Sequence, residues 1–144
     1  MLGVPDNGSI PLDEEPCVRT RVLVVDDYPD IARSCAFLLN SAGFVVLTAS
    51  NGHDALQLAK EFHPGVALLD LALPDLDGFE VARRLRADLT LPTMTLIAVT
   101  AYGSEEHRSR AKAAGFDYFL VKPMRYPELL ALIGCPSQAA ENAT

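Results

Sequence analysis

The sequence predicts an α/β domain built on a doubly wound parallel sheet. Five short apolar runs alternate with five segments of helical periodicity, which is the signature of strands joined by crossover helices. Four of the runs are rich in Val, Ile and Leu and read as strands fully buried in a parallel sheet. These four end on residues of one chemical set. Val22-Leu23-Val24-Val25 ends on Asp26-Asp27, and Val66-Ala67-Leu68-Leu69 on Asp70. Leu96-Ile97-Ala98-Val99 ends on Thr100, and Phe119-Leu120-Val121 on Lys122-Pro123.

The first strand is expected over Arg21–Asp26. Pro29 suits the first turn of the helix that follows, because its missing N–H would be unpaired there. Ile31, Cys35, Leu38, Leu39 and Ala42 recur at helical spacing, and Gly43 supplies a left-handed stop. The second strand is Phe44–Ala49. The second helix runs from about Gly52 to Phe62, burying Ala55, Leu58, Ala59 and Phe62, and His63-Pro64-Gly65 ends it. The third strand is Val66–Asp70. Asp77-Gly78-Phe79-Glu80 reads as a capping box, with Asp77 as cap and Glu80 reaching back, ahead of a helix that buries Val81, Ala82 and Leu85.

The fourth strand is Thr95–Thr100. Ser104 caps the fourth helix, and Glu105 and Glu106 sit at its positive end. Its inner face is mostly Ala111 and Ala114, so it buries little area and is loosely held. Gly115 ends it. The fifth strand is Asp117–Lys122, and the fifth helix carries Leu129, Leu130 and Ile133 before Gly134. Residues 1–18, with several Pro and Gly and the acidic run Asp13-Glu14-Glu15, read as a flexible extension. Residues 19–134 form the one folded domain, and residues 135–144 read as a flexible tail.

A net charge of −7 argues against a nucleic-acid surface, which needs a basic face. No apolar run approaches the roughly 20 residues of a membrane span, and no secretory signal is visible. Cys17, Cys35 and Cys135 lack metal-ligand spacing and read as reduced cytosolic thiols. The expected location is cytoplasmic.

Strand carboxyl ends line the ligand crevice of an open α/β sheet. Three carboxylates, a hydroxyl and an ammonium should therefore converge there. Asp26 and Asp27 can approach one ion where the chain turns, and two close carboxylates ionise together best with a cation between them. Hard oxygen ligands favour magnesium. Asp70 could complete that site and act as a nucleophile, since aspartate forms acyl phosphates. Thr100 could donate to a phosphoryl oxygen, and Lys122 could pair with it as a point charge.

At these residues the chain closely resembles the response-regulator receiver domain of two-component signalling. The resemblance covers about residues 20–134. It rests on Val24-Val25-Asp26-Asp27, on the stretch from Leu69-Asp70 through Pro74 to Asp77-Gly78-Phe79-Glu80, on Val99-Thr100-Ala101 and on Leu120-Val121-Lys122-Pro123. It implies a flavodoxin-like fold, with five parallel strands in order 2-1-3-4-5 and five helices. It implies Asp70 as phosphoacceptor, and Asp26, Asp27, Asp70 and the backbone carbonyl of Ala72 as ligands of Mg2+. Thr100 and Lys122 look like the phosphate-sensing pair, and Phe119 occupies the place of the switch aromatic. The implied partners are a histidine kinase or histidine phosphotransfer protein and a downstream protein, with no turnover of external substrates. Ala72 and Tyr102 lie near the path of an attacking water. The stretches around Ala101-Tyr102-Gly103 and Gly115-Phe116-Asp117 look most like receivers of hybrid histidine kinases.

A rival reading is a haloacid-dehalogenase-like phosphohydrolase with an aspartyl-phosphate intermediate. Its Asp-x-Asp motif would need a second acid where Ala72 stands. Asp75-Leu76-Asp77-Gly78 resembles the start of a calcium loop but lacks the later acid. His53, His63 and His107 fall in separate elements. Arg83, Arg84 and Arg86 read as a solvated basic face.

Overall fold

The computed structural model describes residues 21–133. The expected extension over 1–18 and tail over 135–144, with Cys17 and Cys135, lie outside the described residues. In chain order the elements are β1 (Arg21–Val25), α1 (Pro29–Ser41), β2 (Val45–Ala49), α2 (Gly52–Phe62) and β3 (Val66–Asp70). They continue with α3 (Gly78–Ala87), β4 (Thr95–Thr100), α4 (Glu105–Ala114), β5 (Tyr118–Val121) and α5 (Tyr126–Ile133). All strand pairs are parallel, in the order β2-β1-β3-β4-β5.

Strand side chains alternate between faces, so one register sorts the core into two layers. Leu23, Val25, Ala67, Leu69, Leu96 and Ala98 meet the helices α2, α3 and α4. Val22, Val24, Val66, Leu68, Ile97 and Val99 meet α1 and α5. Doubly buried strands explain why β3 reads as a continuous apolar run: all five of its residues are buried. β5 departs from that expectation, since like β2 it has a neighbour on one side only; Tyr118 (43% exposed) lies open on β5, as does Val45 (48%) on β2.

Helix starts follow the polar signals. The side chains of Asn51, Asp77 and Ser104 accept from the backbone N–H groups of Asp54, Glu80 and His107. Only half of the capping box forms. The Glu80 carboxylate turns outward to Arg83 and Arg84 rather than back to the cap. In α1 the inward face is Ala32, Cys35 and Leu39, while Ile31 and Leu38, expected inside, are partly open. The basic face on α3 is solvated at Arg83 and Arg84 but not at Arg86. Arg86 donates to the carbonyls of Gly115 and Met94 and to the Asp117 carboxylate, at 2.7 Å each. It thereby ties α3 to the start of β4 and to the turn between α4 and β5.

The loop after β3 is pinned at two points. A Cβ on Gly78 would lie 2.6 Å from the Asp70 carbonyl oxygen and 2.7 Å from the Leu71 Cα, so only glycine lets α3 begin so close to the strand end. Farther along, Asp75 reaches across to α2, accepting from the N–H of Gly52 (2.7 Å) and of His53 (2.9 Å) and meeting the His53 ring at 2.6 Å. Partial desolvation pulls the Asp75 carboxyl upward, but these donors and the Leu76 amide outweigh it and hold it well below the usual carboxylate range.

Two outcomes follow from these contacts. Gly78→Ala should cost about 1–3 kcal/mol in urea unfolding, the usual penalty of overpacking against backbone; an unchanged midpoint would contradict the close approach. For Asp75, the unfolded carboxyl takes up its proton near pH 4, as ordinary aspartates do, while the folded one resists to lower pH. Its contribution is therefore whole at neutral pH and shrinks as pH falls below about 4. The gap in urea midpoint between the parent and Asp75→Ala should be widest at pH 7 and should narrow in acid. A gap that widens in acid would show the opposite linkage.

Candidate functional site

β1 ends at Val25, and the chain leaves the sheet with Asp26 tied by its N–H to the Ala49 carbonyl at 3.1 Å. Two carboxylates end up buried at this edge, Asp26 (5% exposed) and Asp70 (6%), while Asp27 is exposed. Each buried acid is held in the same way. Asp26 Oδ1 accepts from the Tyr28 N–H at 2.9 Å, and Asp70 Oδ1 accepts from the Ala72 N–H at 3.0 Å. Both are tight turns in which an Asp accepts from the backbone two residues on. The second oxygen of each faces Lys122, whose Nζ donates to Asp26 Oδ2 and Asp70 Oδ2 at 3.2 Å each.

Lys122 follows β5, and its backbone N–H donates to the Thr100 carbonyl at 2.7 Å. Its side chain spans the β4 position to reach Asp70 on β3. Asp26, Asp27 and Asp70 each offer an oxygen within 4.8 Å of the others, a grouping able to hold a metal ion. Among the described residues, Lys122 meets two of these three carboxylates, and the surplus of negative charge suits a divalent cation. The donor set is all hard oxygen, which fits magnesium.

Burial pushes the Asp70 carboxyl up, against the pull of the Ala72 amide and of Lys122, and the Asp26 charge adds to the push. For Lys122, burial works downward, but the bond to Asp70 and the attraction of Asp70 and Asp26 outweigh it and raise the ammonium. Lys122 is therefore held firmly charged. The two rises differ in their main cause: burial for Asp70, and the neighbouring Asp70 and Asp26 carboxylates for Lys122.

Thr100 is 2% exposed at the end of β4, and its hydroxyl oxygen accepts from the Tyr102 N–H at 3.1 Å. The hydroxyl proton stays free to donate. Thr100 stands on the strand beside Asp70, one step past Asp70's register partner Val99. Phe119 is half-buried on β5, paired in register with Ala98, and so lies on the same sheet face as Thr100. The Tyr102 ring is mostly exposed and stacks on His107 of α4, with centroids 5.8 Å apart. Ala72 meets Asp70 through its N–H.

Sequence reasoning had no signal for a largely apolar cleft of about 630 Å3 beside the acids. Val24, Ile31, Cys35, Leu38, Met124 and Tyr126 line it, with Asp70 and Lys122 at one end. Its Cys35 thiol is free, and burial, helped by the Asp26 charge, pushes it up to about 11. It is thus a protonated thiol at neutral pH. The three histidines stay apart as expected: His53 pairs with Asp75, His63 caps α2, and His107 meets Ser104. Among the described residues, no helix is long and apolar enough to cross a membrane.

The all-parallel sheet in this order carries acids, a hydroxyl and a lysine together at its carboxyl edge. Residues 22–134 match the family described as response regulator receiver domain, and the chain belongs to that family of two-component signalling. It is 42% identical over 112 residues to the transcriptional regulatory protein KdpE of Mycobacterium tuberculosis, a match covering 78% of this chain and 48% of that protein. The chain thus spans about half the length of that relative. Among solved structures it is similar to a Burkholderia pseudomallei response regulator with a phosphorylated aspartic acid, a calcium ion and citrate. That likeness has 26% identity and a TM-score of 0.73, covering 86% of this chain and 72% of the other. It is similar also to the receiver domain of the sensor histidine kinase PA1611 of Pseudomonas aeruginosa, solved with magnesium in its active-site cleft. There the identity is 29% and the TM-score 0.72, covering 78% of this chain and 93% of the other.

The surplus acid charge has a measurable consequence. With a chelator present, Asp27→Asn should raise stability by about 0.5 kcal/mol, the scale of like-charge repulsion between partly exposed groups. Millimolar magnesium should erase that gain. A loss of stability in the chelator would show that Asp27 is not repelled by its neighbours.

Proposed function

We propose that Asp70 accepts a phosphoryl group from a histidine kinase or histidine phosphotransfer protein, and that the phosphorylated domain switches its binding to a downstream protein. The observation that carries this reading is the shared Lys122 contact, 3.2 Å from both Asp70 and Asp26, inside a group of three acids. It leaves Asp70 with a nucleophilic oxygen at the mouth of the crevice and a cation beside it.

An Asp70 oxygen forms the new P–O bond while the P–N bond of the donor phosphohistidine breaks, its electron pair staying on the imidazole. Asp26, Asp27, Asp70 and the Ala72 carbonyl would hold Mg2+, which neutralises phosphoryl charge when bound. Lys122 exchanges its bond to Asp70 for one to the incoming group, and Thr100 turns its free hydroxyl proton to a phosphoryl oxygen. The group brings about −1.5 to −2 charges. Movement of Thr100 opens space into which the Phe119 ring turns, altering the surface beside α4. Each molecule takes up one phosphoryl group and does not turn over external substrates, in a cytoplasmic setting. The phosphohydrolase alternative lacks its second acid, since Ala72 occupies that place.

Incubation with acetyl phosphate and magnesium should add one phosphoryl group by intact mass, and Asp70→Asn or a chelator should remove the signal. Normal yield in Asp70→Asn would refute the assignment. Asp27→Ala should weaken magnesium binding by about tenfold, as expected when a carboxylate is lost from a site of few ligands. Equal affinity in a calorimetric titration would remove Asp27 from the metal site.

A further inference from the structure

Of the helices on its face of the sheet, α4 alone adds no Leu, Val or Phe to the core, whereas α2 adds Leu56 and Leu58 and α3 adds Phe79, Val81 and Leu85. The buried residues of α4 are Ala111 and Ala114. Small side chains remove little apolar area from water, so the helix is weakly fastened by burial. Two of its arginines make a different kind of contact. The Arg110 guanidinium lies 4.1 Å from the centre of the Phe79 ring on α3. The Arg108 guanidinium lies 4.7 Å from the centre of the Phe119 ring on β5. Both fall within the roughly 6 Å reach of cation–π attraction.

The two rings differ in freedom. Phe79 is 4% exposed and is part of the core. Phe119 is half-buried, and one face of it is turned to an exposed arginine. As a phenylalanine it has no hydroxyl with which to bond to solvent or backbone in either position. The charge over its face is thus the specific attraction this arrangement offers the ring.

We propose that Arg108 is a positioning residue, a latch that holds the Phe119 ring toward α4 and opposes its inward turn. The proposal rests on the reading of Phe119 as a switch coupled to Asp70. Turning the ring toward Thr100 takes it away from the guanidinium, so the contact stabilises the unphosphorylated arrangement alone. Phosphorylation and the latch then oppose each other, and the coupling is reciprocal. An exposed cation–π contact changes such a balance by about two- to fivefold.

The test uses the whole chain with Arg108→Gln and, as the charge-keeping control, Arg108→Lys. In the free protein, three-bond couplings of Phe119 report its χ1 rotamer without any ligand. Arg108→Gln should move the population toward a second rotamer, with Arg108→Lys nearer the parent. Beryllofluoride with magnesium should bind Arg108→Gln about two- to fivefold more tightly than the parent, and the substitution should have no effect in a Phe119→Leu background. A gain of affinity separates a latch from a merely structural role, which would weaken binding. Unchanged couplings overturn the latch, as does equal or weaker beryllofluoride binding by Arg108→Gln. Shifted couplings in a protein whose parent takes up neither beryllofluoride nor phosphoryl groups would uphold the latch and overturn the phosphoacceptor reading instead.

Discussion

The Lys122 ammonium lies between two buried carboxylates, 3.2 Å from Asp26 and from Asp70, and most of the site follows from that position. Burying an unpaired carboxylate is costly, and burying two that face each other is worse. One cation shared between them makes the burial tolerable without satisfying it, because Asp27 adds a third charge at the rim. The result is a cleft that holds itself together and keeps a surplus of negative charge of the kind that suits a divalent cation. In the proposed transfer this lysine changes partners, and a flexible stem with three donors on its head group suits that better than the planar fork of an arginine.

That placement in turn constrains the fold. Asp26, Asp70 and Lys122 come from β1, β3 and β5, so they meet only if those strands are parallel and nearly adjacent. The order β2-β1-β3-β4-β5 does this, leaving β4 to bring Thr100 between Asp70 and Lys122. The pinned loop from Leu71 to Asp77 serves the same end, since Ala72 orients one Asp70 oxygen through its N–H. At the far edge, α4 rests on the core through Ala111 and Ala114 and reaches two aromatic rings through Arg108 and Arg110.

Much of this was legible in the residues. Runs without polar alternation marked the strands because β1, β3 and β4 are covered on both faces. The polar residues closing those runs marked the site, because strand ends meet in space even when 52 or 96 residues apart in the chain. Strand order came only through family resemblance, since a count of alternating elements does not set it. Local pattern also failed wherever a distant partner decided the outcome. Glu80 leaves its cap for two neighbouring arginines, Arg86 finds carbonyls on other elements, and Ile31 and Leu38 border a cleft instead of the core. The stacking of Arg108 on Phe119 has no signature in spacing, because α4 and β5 meet through a turn whose geometry depends on Gly115 and Arg86.

In the proposed reaction, the carboxylate that shares Lys122 with Asp26 is the one that forms the acyl phosphate. Borohydride reduces an aspartyl phosphate to homoserine and leaves free carboxylates untouched. Peptide mass spectrometry after phosphorylation by acetyl phosphate and reduction should therefore find homoserine at position 70 alone. Homoserine at position 26 or 27, or a phosphate surviving on a serine, threonine or histidine, would contradict the account.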